Sequence, residues 1–166
     1  MLIDQVDDHD RPIRSIPRNN VFSEKAGFRV SHVFVFNESR QLLLQRIAQN
    51  RERHPGQWGS SVAAYLFSGE DYVSAAERRI REELGISDFA LQLIGKTAMR
   101  DDGCTKFISL FTTISNGPFQ FDRNHIEELQ FLLLPRIGEM LQANERKFTP
   151  TFPHVLDLYL RSAHLR

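Results

Sequence analysis

The stretch Glu70-Asp-Tyr-Val-Ser-Ala-Ala-Glu-Arg78-Arg79-Ile80-Arg81-Glu82-Glu83-Leu84-Gly85-Ile86 constrains the fold more than any other, because it joins an apolar helical stripe to a charged flank and ends on a glycine. Val73, Ala76, Ile80 and Leu84 recur at helical spacing and turn one side of the segment toward a core. Ser68, with Asp71 three residues later, reads as a capping box, and Gly85 suits the left-handed backbone that ends a helix. The spacing predicts a helix over about 70–84. Positions 79, 82 and 83 share a second flank, since residues three and four apart lie on one side of a helix. Two readings fit that flank. Gathered carboxylates suit a hard cation, because Mg2+ takes oxygen ligands and bridges protein carboxylates to substrate phosphates. Alternatively it is a solvated lattice of Arg–Glu pairs, the commoner fate of charge runs.

Elsewhere apolar runs alternate with turn signals. Leu2–Val6 and Pro12–Ile16 flank an Asp-rich turn, and Phe28–Phe36 with Leu42–Arg46 flank Asn37-Glu-Ser-Arg, so two hairpins are expected. Strands follow at about 60–67, 90–98, 104–115 and 128–134. Further helices are expected at about 135–143, with Pro135 in the first turn, and at about 152–164, with Val155, Leu156, Tyr159 and Leu160 inward. Many strands with few helices fit an α/β class in which a sheet lies between helical layers. The thirteen phenylalanines are core and edge residues before they are a base-stacking platform, and Trp58 is expected to pack rather than line a pocket.

The chain has 166 residues, enough for one domain with a sizeable core, and no linker-like or repeated segment divides it. Its 21 Lys and Arg balance 21 Asp and Glu, which removes the global basic field of a general nucleic-acid binder. The run from Arg46 to Arg53 still offers a local phosphate-facing surface. Cys104 is the single cysteine, so no intramolecular disulfide can form, and the first residues lack a basic region followed by a long apolar one. A reducing cytoplasm is the expected location. No apolar run approaches the ~18 residues of a membrane span. Cys104 reads as a small core hydrophobe rather than a nucleophile. The oligomeric state is not legible, and a homodimer is left open.

Glu70, Arg78, Ile80, Glu82, Glu83, Gly85 and Ile86 stand in register with a known pattern: Gly, five residues, Glu, seven residues, Arg-Glu, an aliphatic, any residue, Glu-Glu, any residue, Gly, an aliphatic. The chain thus resembles the Nudix superfamily, departing at Ala64, where the first glycine is expected, and at Arg79, where a glutamate is. Phe34-Val-Phe-Asn37, Leu42-Leu-Leu-Gln-Arg46, Pro55-Gly-Gln-Trp58-Gly-Ser-Ser-Val62, Ile126-Glu-Glu-Leu-Gln-Phe131 and Lys147-Phe-Thr-Pro150 are similar to the branch containing isopentenyl diphosphate isomerase and its hydrolase relatives. The resemblance implies an α/β/α sandwich with a mixed sheet, formed by a single domain over 1–166 with an N-terminal hairpin at about 1–18 and the box at 64–86. It does not imply isomerisation. Ala63 holds the place of the isomerase's catalytic cysteine, Tyr65 and Phe28 those of metal-binding histidines, and Cys104 and Lys106 fall near its later acidic pair. Carbon acid–base chemistry around a metal loses both kinds of group.

The hydrolase relatives imply cleavage of a diphosphate linkage in a nucleoside diphosphate derivative or related organic diphosphate, with Mg2+ (or Mn2+) and an activated water. By that resemblance Glu82 and Glu83 are the metal ligands and catalytic carboxylates, while Glu70 and Arg78 pair to support the loop. Arg46 is a candidate for holding the diphosphate, or a plain strand-end arginine. Arg79 leaves three possibilities: fewer metals, a phosphate clamp, or loss of hydrolysis. His125 stands where the relatives' water-activating carboxylate is sought, with Glu128 as the fallback base and a solvated loop histidine as the simpler reading. The expected partner is a small-molecule diphosphate, with no membrane and no general nucleic-acid binding. The alternative function is a degenerate Nudix module that binds a nucleotide or metabolite as sensor or partner-binding domain.

Overall fold

A computed structural model describes residues 1–163, in which the chain forms β1 (Leu2–Val6), β2 (Pro12–Pro17), β3 (Phe28–Phe36), β4 (Gln41–Ile47), β5 (Trp58–Gly59), β6 (Val62–Tyr65), α1 (Tyr72–Leu84), β7 (Gln92–Asp101), β8 (Cys104–Ile114), β9 (Ile126–Leu133), α2 (Leu134–Ala143) and α3 (Thr151–Ala163). Strands β1 and β2 form their own antiparallel ribbon, and β3 to β9 form one mixed sheet. Its centre is β3, a nine-residue run buried along nearly all its length. One edge of β3 runs parallel to β8 from Phe28 opposite Lys106 to Phe36 opposite Ile114.

The other edge of β3 has two partners. The expected hairpin with β4 exists only at its tip, as the single pair Phe36 and Leu42. Further along, β6 pairs antiparallel with Val30 to Val33, and β4 turns away to pair with β9. Ser61 fills the fork. Its hydroxyl accepts from the Val35 N–H at 2.9 Å and donates to the Leu43 carbonyl at 2.6 Å, so both diverging strands keep their buried polar groups paired.

Alternation along β3 and β4 divides the interior into two cores. Phe34, Leu42, Leu44 and Leu110 face Ile137 of α2 and Phe152 and Val155 of α3. Val33, Val35, Leu43 and Phe111 face Ala76, Ile80 and Leu84 of α1. Helices therefore cover both faces, giving the α/β/α sandwich with a mixed sheet. The ribbon joins the first core through Ile3 and Ile16. Gly27 lets it close, because a Cβ there would lie 2.6 Å from the Val6 carbonyl oxygen.

Local details differ from expectation for identifiable reasons. Asp71, not Ser68, caps α1, accepting from the Ser74 N–H at 2.8 Å, and the Ser68 hydroxyl instead donates to Ser15 Oγ on β2. The helix starts at Tyr72 because of that cap, while Gly85 closes it in the left-handed conformation at φ 67°. Val73 is 39% exposed and Ala75 is buried in its stead, since the first turn of α1 rotates toward β6 rather than toward the second core. On α3, Leu158 is buried and Leu160 is exposed, because the helix also packs against β7, where Leu158 meets Gly95. The expected last residue of that helix, His164, lies outside the described residues.

Candidate active site

The loop before α1 is built on one ion pair. Arg78 donates from Nε to Glu70 Oε2 at 2.9 Å and from its terminal nitrogen to Glu70 Oε1 and the Tyr65 carbonyl, both at 3.0 Å. Glu70 Oε1 also accepts from the Phe67 N–H at 2.7 Å, and the guanidinium lies 3.7 Å from the Phe67 ring centre. The loop is thereby closed onto the helix by charge, hydrogen bonds and a cation–π contact at once.

One residue on, Arg79 looks the other way. Its two terminal nitrogens reach Glu82 Oε2 at 3.2 Å and Glu83 Oε2 at 3.1 Å. Glu83 is 3% exposed, and burial raises the pKa of its carboxyl, with Arg79 and then a long Gln45 amide contact opposing that rise. Gln45 holds its position by donating to the Ser61 carbonyl at 2.8 Å, so the fork between β3 and β4 orients the first polar neighbour of Glu83. At the far end of α1 the Glu83 carbonyl accepts from the Asp122 N–H at 2.9 Å.

Asp122 opens the turn that leads to His125. Its carboxylate accepts from the Asn124 N–H at 3.0 Å and lies 2.6 Å from His125 Nδ1. Despite some desolvation, those two contacts hold its carboxyl below the usual range. The pair has the form of an oriented imidazole, one nitrogen fixed by a carboxylate and the other without a hydrogen bond among the described residues.

These groups gather at a cleft of about 900 Å³. Gln45, Arg79, Glu83 and His125 lie on its walls, together with Phe28, His32, Ala63, Tyr65 and Lys106. Six Lys and Arg line it against three Asp and Glu, a cationic surplus in a chain of zero net charge. Three candidate residues stand elsewhere. Glu82 is on the outer flank of α1, shared by Arg78 and Arg79, and Arg46 and Glu128 face each other across β4 and β9, away from the lining residues. Arg46 spends its Nε on the Gly56 carbonyl at 3.2 Å and on Glu127 at 3.4 Å. Trp58 is buried in the first core with Arg146 over its ring at 4.2 Å.

With Arg79 in place the donor set does not close into a metal cage. Among the described residues no three His, Cys, Asp or Glu side chains come together as an ion would require, and Glu82 and Glu83 are both paired with Arg79. The candidates drawn from sequence omit Gln45, Asp122 and His32. A polar residue interrupting an apolar strand, as in Leu44-Gln45 and Ser31-His32-Val33, is the signal that could have found two of them, and Asp three residues before a loop histidine the third.

The Nudix domain family model matches residues 27–152. Over 159 residues the chain is 29% identical to an uncharacterized Nudix hydrolase of Pseudomonas aeruginosa, covering 96% of this chain and 93% of that protein. It is 30% identical over 135 residues to an isopentenyl-diphosphate Delta-isomerase of Streptomyces avermitilis, covering 78% of this chain and 68% of that protein. A crystal structure from Deinococcus radiodurans shares the fold with a TM-score of 0.84 at 21% identity, covering 96% of this chain and 99% of that one. The chain belongs to the Nudix family, among its hydrolases.

At the positions where the resemblance places an isomerase's cysteine and metal-binding histidines, this chain carries other groups. Ala63 has no nucleophile, and Phe28 and Tyr65 stack on one another at 5.4 Å instead of presenting imidazoles.

Proposed function

We propose that this chain cleaves a diphosphate linkage in a nucleoside diphosphate derivative or a related organic diphosphate, within the cleft that Arg79, Glu83 and His125 share. The supporting observation is the cationic surplus of that cleft beside a guanidinium anchored by a buried carboxylate. Among the described residues Arg79 donates one N–H to Glu82 and sets its other terminal nitrogen 3.1 Å from Glu83, so its remaining N–H groups can donate to phosphoryl oxygens. Glu83, itself contacted by Gln45, holds the guanidinium so that it need not reorganise as charge develops. His125, oriented by Asp122, accepts the proton of the attacking water, and Glu70 with Arg78 keeps the loop at the cleft wall in place. Arg46 and Glu128 have lesser roles, since both lie off the lining.

Glu82 and Glu83 are the residues that would hold a divalent ion, Mg2+ or Mn2+, in competition with Arg79 for both. When bound, such an ion supplies charge neutralisation on the phosphoryl oxygens. The same competition favours a second reading, a module that binds its diphosphate ligand without turnover. We also take the N-terminal ribbon to belong to the same domain as the box, because its apolar residues enter the first core.

The deciding experiment measures phosphate-bond cleavage across a panel of nucleoside and non-nucleoside diphosphates with Mg2+ or Mn2+. Turnover that falls by roughly a hundredfold in Glu83→Gln supports the hydrolase. Tight binding without turnover under either ion supports the second reading.

A further inference from the structure

His32 is a buried polar residue on the cleft wall that neither the box nor the fold's own hydrogen bonding uses up. It lies in the middle of β3, opposite Ala63 of β6, and is 6% exposed. Its Nδ1 stands 2.8 Å from Ser60 Oγ, while Nε2 has no hydrogen bond among the described residues. No described side-chain nitrogen or oxygen that is sealed from solvent lacks a partner, so the open nitrogen is one that touches the cleft. Nearby Lys106 does not fill the role, because its ammonium bonds Asp101 at 2.9 Å and Thr151 at 2.6 Å and makes no hydrogen bond to His32 among the described residues. Ala63 is small and exposed, which leaves the imidazole approachable past its cross-strand neighbour. Burial, with the charge of Lys106 second, lowers the imidazole pKa to about 3, so the ring is neutral at ordinary pH. The Ser60 hydroxyl can donate or accept, so Nε2 can present either an acceptor or an N–H to a ligand.

We infer that His32 reads a neutral hydrogen-bonding group, a hydroxyl or an amide-like edge, on the organic part of the diphosphate, and so selects polar moieties over hydrocarbon ones. This rests on the diphosphate reading above, with the phosphates at Arg79 and the organic part reaching along the β3 and β6 wall. A hydrocarbon tail in that place would strip water from Nε2 and return no bond, the kind of mismatch that gives a site its discrimination.

The test is calorimetric binding of two probes that share the diphosphate, ADP and geranyl diphosphate, to the wild type, His32→Phe and His32→Gln. His32→Phe should weaken ADP by about tenfold or more, the loss of one hydrogen bond, and leave geranyl diphosphate within about twofold. His32→Gln, which keeps a polar group, should hold ADP within about threefold of the wild type. Equal changes for both probes, or no change for either, overturn the inference while leaving the diphosphate reading intact. If neither probe binds the wild type, the diphosphate reading fails and takes this inference with it. Should His32→Phe not fold, 15N-histidine NMR of the wild type decides the same question: ADP must move the His32 Nε2 resonance, and an unmoved signal overturns the assignment.

Discussion

Arg78 and Arg79 are neighbours in sequence and opposite in circumstance. Arg78 is enclosed by the box loop, with Glu70, a backbone carbonyl and an aromatic face holding it from three directions. Arg79 borders the same cleft as Arg78 but is held by two carboxylates of its own helix instead of by the loop. The difference teaches that a charged helix flank is not one surface. Its role changes within about 100° of rotation, because one direction meets a folded loop and the next meets the fork between two strands.

If that contrast holds, the largest effect belongs to the enclosed arginine. Arg78→Ala should cost about 3 kcal/mol, as expected for breaking a largely buried pair and leaving its carboxylate behind. Urea denaturation measures it, and a loss below about 1 kcal/mol would mean the loop closes without Arg78. For the arginine held by its own helix the effect should fall on ions instead. Arg79→Glu places a third carboxylate beside Glu82 and Glu83 and should tighten Mn2+ binding roughly tenfold by electron paramagnetic resonance, about 1.4 kcal/mol. Unchanged affinity would show that Arg79 does not set metal binding.

The cleft wall carries its own pH signature. The pKa of His32 is lowered from 6.5 to about 3 on folding, so between those values the unfolded chain binds more protons than the folded one. Stability present above pH 6.5 is therefore lost as pH falls toward 3, at a limiting slope of about 1.4 kcal/mol per pH unit. His32→Gln should flatten that slope by the share of one proton, readable from urea midpoints between about pH 4 and 7. Equal slopes in the two proteins would show that folding leaves the protonation of His32 unchanged. The smallest effect is expected at Arg46, whose guanidinium is occupied away from the cleft. Arg46→Ala should change turnover and KM by no more than about threefold, and a loss beyond about tenfold would relocate the diphosphate to that strand end.

The elements of this fold are legible wherever periodicity is unbroken. The α1 helix, its glycine stop, the first hairpin, and the proline-led α2 helix all follow from spacing and turn chemistry that act over a few residues. The β3–β4 hairpin is legible only at its turn, since nothing local to Leu42–Leu44 says that β6 will take the edge of β3. The cap of α1 falls at Asp71 rather than Ser68 because the Ser68 hydroxyl finds its partner across the chain, at Ser15.

The site divides in the same way. Sequence by itself determined that Glu70, Arg78, Arg79, Glu82 and Glu83 would share one helix and its preceding loop, because a fixed rise and rotation per residue leave no alternative. Only tertiary structure decided that Glu83 is buried under Arg79 while Glu82 stays outside, that Arg46 faces away, and that His32 and His125 border the same space as Arg79. Those outcomes depend on which strand edges pair and where they part, contacts between residues far apart in the chain that no local rule encodes.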